Sequence, residues 1–280
     1  MSDTSSRFEK HIEVPTNGAI AVDLIAQQTQ LSKQTVKQVM LKGAVWLSKG
    51  KHTQRLRRAK RALKRGEIIH IYYDSAVLTR NPPEPTLLFD AGHYSVWNKP
   101  YGLLSQGSKW GDHCTITRWA EQHLSPQRNG FVVHRLDRAA NGLIVIAHEK
   151  TAAAALSHLF QQRQVEKRYR IVVHGDLSKR LDNDHCVRVA SDIDGRSAVS
   201  HFSLVQYDAD QDRSIVDVDI ETGRKHQIRR HSAELGFPVV GDRMHGKEGD
   251  KENLHLTAYY LAFECPYQHI KRQFNLLVER

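Results

Sequence analysis

Cysteine is scarce in this chain: three residues in 280, Cys114, Cys186 and Cys265, each more than seventy positions from the next. No Cys-x-x-Cys pair exists, which argues against a zinc knuckle and a disulfide framework and reads as cytosolic thiols. No apolar run approaches the ~18 residues that a membrane span requires. The first thirteen residues are polar and lack a signal-peptide core, so a cytoplasmic protein with no membrane partner is expected. Several signatures of chemistry are also missing. There is no G-x-x-x-x-G-K-[ST], no G-x-G-x-x-G and no G-x-S-x-G elbow. His148-Glu149 is followed by Ala152 where a metalloprotease needs its second histidine. The 17 histidines, His134, His226 and His231 among them, show no zinc spacing and read as surface or structural side chains. Nucleotide-cleaving and hydride-transferring enzymes lose ground, and neither metal nor cofactor is expected.

Acidic residues are thin in one region only. Residues 1–80 hold 15 Lys and Arg against 6 Asp and Glu, whereas the other 200 hold 26 against 25. Nearly the whole net charge of +10 therefore sits in the first third. Such a shift marks a domain boundary and a polyanionic partner, with a merely solvated basic face as the bland alternative. The stretch 49–65 contains no acidic residue and nine basic ones: Lys49, Lys51, Arg55, Arg57, Arg58, Lys60, Arg61, Lys64 and Arg65. With 40% apolar residues the chain can still build a core.

Three of the eight prolines fall within Asn81-Pro82-Pro83-Glu84-Pro85, which reads as a stiff extended linker. The expected organisation is a basic domain at 1–80, the linker at 81–85 and a larger domain at 86–280, the last able to fold without the first. In the first part, residues 20–28 and 32–40 read as short helices, with Ser32 capping the second. Residues 44–47 and 68–73 read as strands. Leu56, Ala59 and Leu63 are compatible with a thin helical stripe or with a loop. Beyond the linker, strands are expected at 94–98, 131–134, 143–147, 168–173, 198–205, 214–220 and 254–263, and helices at 116–123, 151–163 and 225–235. Strands and helices do not alternate, which favours an α+β fold with a mixed, largely antiparallel sheet and packed helices.

Two stretches hold the residues most suited to chemistry. In Phe131 through Ala147, two apolar runs flank a polar turn carrying Asp137 between Arg135 and Arg138. A carboxylate beside guanidinium groups stays ionised and suits a nucleophile, although a structural Asp–Arg pair would look the same. In Glu221-Thr222-Gly223-Arg224-Lys225-His226-Gln227-Ile228-Arg229-Arg230-His231, Thr222 is a candidate N-cap and Gly236 a terminator. Arg229 would then lie two turns in. A basic helix start attracts phosphate or carboxylate, and a solvated basic face is the plain alternative.

Taken together, these stretches resemble the RluA family of pseudouridine synthases. His134-Arg135-Leu136-Asp137-Arg138-Ala139-Ala140-Asn141-Gly142-Leu143 is similar to that family's H-R-L-D-x-x-T-S-G-L, and Thr222 through His231 to its T-G-R-x-H-Q-[IL]-R-x-H. Asn98-Lys99-Pro100-Tyr101-Gly102-Leu103, Lys167-Arg168-Tyr169, Gly236 through Asp242 and Leu254-His255-Leu256-Thr257-Ala258 resemble further family pieces in the same order. The resemblance spans roughly residues 86–265. Ala140-Asn141 stands where Thr-Ser is usual, and Lys225 where Thr is common. Within residues 20–74, Gly43-Ala44-Val45 and Gly66-Glu67-Ile68-Ile69-His70-Ile71 resemble the small RNA-binding domain named after ribosomal protein S-four.

The resemblance implies an isomerase that converts uridine to pseudouridine in RNA, acting as a monomer. Ribosomal RNA is preferred over transfer RNA because of the basic appendage. Asp137 would be the nucleophile, and Arg229 would pair with it. Tyr169 would stack on the uracil and help remove the proton from carbon five. Arg135 would fill the gap left by the extruded base. The nine basic residues of 49–65 would hold backbone phosphate. Lys99 and Pro100 would shape a loop near the site. A glycosylase releasing free uracil, or an RNA-binding protein without catalysis, remains the alternative at this stage.

Overall fold

The computed structural model describes residues 6–182 and 185–277, so the first five positions of the polar N-terminal stretch lie outside the described residues. The chain divides into two compact units. One comprises Met1–Pro82 with Gln106–Gln122, and the other Pro83–Ser105 with His123–Arg280.

In the first unit, β1 (Arg7–Glu13), β2 (Val45–Lys49), β3 (His52–Arg55) and β4 (Ile68–Asp74) form an antiparallel sheet in the order β1-β4-β2-β3. Helices α1 (Ala21–Thr29) and α2 (Lys33–Leu41) share one core with that sheet, followed by the short α3 (Ser75–Leu78). Ser32 caps α2, its hydroxyl accepting the Thr35 amide at 3.0 Å. Ile69 and Ile71 of β4 are buried beside Val45 and Leu47, while the alternating residues His70 and Tyr72 lie on the opposite face. No helix forms over residues 56–65. Leu56 and Leu63 are buried because the loop folds inward: the Leu56 amide donates to Val45 and the Leu63 amide to Ala19. The segment Gln106–Gln122, which includes most of α4 (Ile116–His123), belongs to this unit. Arg55 and Arg57 both pair with its Asp112. A cut within residues 81–85 would therefore strip that segment of its partners, contrary to the expectation that 86–280 is self-sufficient.

The second unit is built on a ten-stranded sheet. Its strands are β5 (Thr86–Asp90), β6 (Tyr94–Lys99), β7 (Phe131–Val132), β8 (Asn141–Ala147), β9 (Glu166–His174), β10 (Cys186–Ile193), β11 (Arg196–Asp208), β12 (Arg213–Ile220), β13 (Leu256–Glu264) and β14 (Lys271–Asn275). The path runs β10-β11-β12-β9-β13-β8-β6-β5, with β14 on β13 and β7 on β8. Among the described residues the parallel contact is β13 with β8, at Thr257–Asn141 and Ala258–Gly142. Gly142 is required there. A Cβ would stand 2.3 Å from the Ala258 carbonyl oxygen, and φ is +114°. Helices α5 (Lys150–Gln161) and α6 (Gln227–Glu234) complete the α+β arrangement. Helix α6 starts later than the sequence suggests. Its N-cap is His226 in a left-handed conformation, φ 55°, so Arg229 lies in the first turn. The Thr222 hydroxyl instead donates to the Gln227 side chain at 2.7 Å.

Candidate active site

The Asp137 turn lies just before β8, and neighbouring backbone and side chains fix it at nearly every residue. The Ala140 amide closes it onto the Asp137 carbonyl at 3.2 Å. Ser105 Oγ accepts the Leu136 amide at 3.0 Å and donates to the Leu136 carbonyl at 2.7 Å. The Gly102 amide donates to the Arg138 carbonyl at 2.8 Å. Lys99 is fully buried, and Nζ donates to the carbonyls of Pro100, Leu103 and Ala140 at 3.1, 2.9 and 2.6 Å. Those three acceptors match the three donors of an ammonium. Burial brings the Lys99 pKa down to about 7, opposed by attraction to Asp137. Asn141, which departs from the family pattern, accepts the Thr257 hydroxyl at 2.9 Å and so ties the turn to β13.

Lys99 is thus a positioning residue, and Lys99→Met is expected to leave three carbonyls without their donor and let the turn shift. Turnover should fall about 10- to 100-fold, the scale of an ångström-sized misplacement. RNA affinity should stay nearly unchanged. Steady-state kinetics alongside equilibrium binding would check this, and an unaltered kcat would remove Lys99 from the site.

Opposite the turn stands Arg229, 5% exposed. Its Nη1 is 3.2 Å from Asp137 Oδ2. Nε and Nη2 make a two-pronged contact with Asp242, at 2.8 and 2.5 Å. Burial works against the Arg229 charge, yet the two carboxylates, Asp242 foremost, raise its pKa above the ordinary value. Asp242 Oδ1 also accepts the amides of Met244 and His245 at 2.9 and 3.1 Å. Burial pushes the Asp242 carboxyl up, but Arg229 and these amides outweigh it and hold the group below its usual range. His226 Nε2 lies 3.8 Å from Asp137 Oδ2, and its Nδ1 is 3.2 Å from His245 Nε2. Burial lowers the His226 pKa, against the pull of Asp137, so the ring is neutral near neutrality.

The residues expected from sequence divide clearly. Asp137 and Arg229 are brought together. Tyr169 is buried on β9 and feels the Asp137 charge; burial first and that charge second raise its pKa, so the ring offers a protonated phenol rather than a phenolate base. Arg135 is exposed and makes no hydrogen bond or ion pair among the described residues, free to meet a ligand. Of the nine basic residues, Lys49, Lys51, Arg58, Lys60, Lys64 and Arg65 are exposed. Arg55 and Arg57 are engaged with Asp112, and Arg61 lies 3.6 Å from Glu67. His134 is structural. Burial drives its pKa down to about 3, its Nε2 accepts the Val145 amide at 2.9 Å, and its ring stacks on Phe160. Sequence reading missed Asp242 and His226 as members of the site. In the sequence Asp242 appeared only as the end of the Gly236–Asp242 stretch; the structure packs the preceding Gly241 so closely that a Cβ would stand 2.1 Å from the Asn253 carbonyl oxygen.

The arrangement is a carboxylate on a rigid turn, facing a guanidinium that a second carboxylate holds in register. Residues 93–234 match the family described as RNA pseudouridylate synthase. The dual-specificity RNA pseudouridine synthase RluA of Vibrio parahaemolyticus is 34% identical over 215 residues, covering 69% of this chain and 84% of that protein. An RNA pseudouridine synthase of Bacillus subtilis is 32% identical over 177 residues, and the match takes in 58% of each chain. Among solved structures, human RNA pseudouridylate synthase domain containing 1 shares the fold, with a TM-score of 0.56 at 20% identity over 69% of this chain and 85% of that one. The chain therefore belongs to the RNA pseudouridylate synthase family of isomerases.

Proposed function

We propose that this chain converts specific uridines of structured RNA to pseudouridine, with Asp137 as the nucleophile. The observation that carries this reading is the Asp137–Arg229–Asp242 array. A carboxylate that must attack is kept on a fixed turn, and its cation cannot swing away because Asp242 grips its other two nitrogens. Asp137 attacks the anomeric carbon of the ribose or carbon six of the uracil. The bond from N1 to the ribose breaks, carbon five takes its place, and the proton leaving carbon five is balanced by one gained at N1. Redox change is not part of this balance. Tyr169 supplies an aromatic wall for the uracil, and His226 is placed to take up or return a proton beside Asp137. Arg135 would stack where the extruded base had been. The basic first unit, read as an S-four-like RNA-binding domain, favours ribosomal RNA, and the working form is a monomer in the cytoplasm. No helix among the described residues is long and apolar enough to cross a membrane.

Tritium release from RNA labelled at uracil carbon five tests the chemistry. Isomerisation gives release with the RNA mass unchanged and no free base. Free uracil would establish a glycosylase instead, and binding without either product a protein that only holds RNA. Carbodiimide mapping of RNA from cells lacking the protein would identify the target uridines.

A further inference from the structure

The outer face of the four-stranded sheet carries a set of side chains that neither the core nor the chemistry uses. One row crosses all four strands. His11 on β1 faces His70 on β4, His70 faces Trp46 on β2, and Trp46 faces Arg55 on β3. The next residue outward on β4 is Tyr72. Over this face lies the start of the segment Gln106–Gln122, which adds Lys109 and Trp110. Trp110 meets Tyr72 edge to face at 5.7 Å, and the Trp46 indole N–H donates to the Lys109 carbonyl at 3.2 Å. Cations lie over Trp110, Trp46 and Tyr72. Arg7 lies 4.2 Å over Trp110, Arg55 4.2 Å over Trp46, and Lys109 4.7 Å over Tyr72. Of the acidic residues on this face, Glu9 is paired with Lys109 at 2.6 Å and lies 3.3 Å from His11, Asp74 lies 3.6 Å from Arg7, and Glu13 stands further along β1.

We infer that this face is a binding surface for an unpaired stretch of RNA, whose bases stack on Trp110 and Tyr72 while its phosphates meet Arg7 and Lys109. The inference deepens the proposed function, since it assumes an RNA partner. Three observations select this occupant. The rings are half-buried rather than sunk in a core, and Arg7 above Trp110 has 60% of its side chain exposed and a 3.6 Å contact with Asp74, so it can swing aside for a base. The unit's charge complements a polyanion, with 17 basic against 8 acidic residues. An apolar protein partner would want contiguous aliphatic surface, whereas aromatic rings alternating with cations are the composition of single-strand binding platforms. A duplex hides the faces of its bases and would gain only the phosphate contacts.

The test measures equilibrium binding of the full chain to a fluorescent single-stranded oligoribonucleotide and to a duplex of the same length. Binding needs no isomerisation, so this readout stands or falls separately from tritium release. Trp110→Ala should weaken single-strand binding by roughly tenfold, the cost of one lost stacking contact. Duplex binding should barely change, and so should the slope of affinity against salt, because no phosphate contact is removed. Trp110→Phe keeps a stacking ring and should bind almost as the parent does, which separates lost stacking from a damaged fold. Wild-type affinity in Trp110→Ala, or equal weakening of single strand and duplex by both variants, would overturn the inference.

Discussion

Asp137→Asn should abolish tritium release while the folded protein and its hold on RNA persist. An amide cannot attack, and removing a nucleophile outright costs roughly four to six orders of magnitude in turnover. The fold should tolerate the change for a reason visible in the site. The Asp137 side chain is 29% exposed, and Arg229 keeps its two-pronged contact with Asp242, so no buried charge is left alone. The loss of stability should stay within about 1 kcal/mol, as for partly exposed pairs. RNA affinity should hold or rise slightly, because one negative charge has left a surface that meets phosphate. Single-turnover release and equilibrium binding on the same preparation measure both effects. Release within tenfold of wild type would remove Asp137 from the nucleophile's role.

Much of the fold could be read because burial prints itself on the sequence in two ways. β8 is apolar from Leu143 to Ala147 because neighbours cover both faces, and that part reads as a continuous run. β4 alternates because one face is core and the other is not. Strands β1, β3, β5, β10 and β14 were missed, and of these β1, β3 and β14 carry the marks least. β1 reads Arg-Phe-Glu-Lys-His-Ile-Glu and β14 Lys-Arg-Gln-Phe-Asn; each borders a sheet, pairs on one side and buries few residues. The strand character of β1 comes from β4, distant in sequence, and that of β14 from β13 across a short connection, and local preference announces neither. The same holds for Gln106–Gln122, with two basic and two acidic residues and no shift in composition. Its place in the first unit rests on Asp112 meeting Arg55 and Arg57, fifty-odd positions away.

The site followed the same division. Asp137 stood out because a polar turn interrupted two apolar runs, and Arg229 because it sat in a dense basic stretch. Their union was legible only through a family resemblance, since 92 residues separate them. The start of α6 was misplaced because a left-handed His226 is not a conformation that side-chain preference favours, and a threonine a few residues earlier is the better cap by type. Asp242 could not be distinguished from a turn aspartate without the backbone that buries it.

That burial makes Arg229→Ala a different experiment from Asp137→Asn. Among the described residues Arg229 is the one cation gripping Asp242, whose side chain has no exposed surface. Removing the arginine abandons a buried carboxylate, and such a loss typically costs about 3–5 kcal/mol. Turnover should fall by orders of magnitude, but part of that fall would report unfolding. The pH dependence of stability separates the contributions by sign. In the wild type, Asp242 has a folded pKa below its unfolded value, so its stabilisation is complete above about pH 4 and is lost as pH falls through the folded pKa. In Arg229→Ala, burial dominates and the folded pKa moves above the unfolded one. The variant should then gain stability on acidification from pH 7 to 5, where the wild type gains none from this group. Adding Asp242→Asn to Arg229→Ala removes the abandoned charge, and Oδ1 can still accept the Met244 and His245 amides. The double variant should recover roughly 1–3 kcal/mol over Arg229→Ala in urea unfolding at pH 7, and lose the acid-side gain. It should nevertheless remain inactive, because Asp137 still lacks its partner. Recovery of turnover together with stability would show that Arg229 acts only as a counter-ion for Asp242 and has no part in the reaction at Asp137.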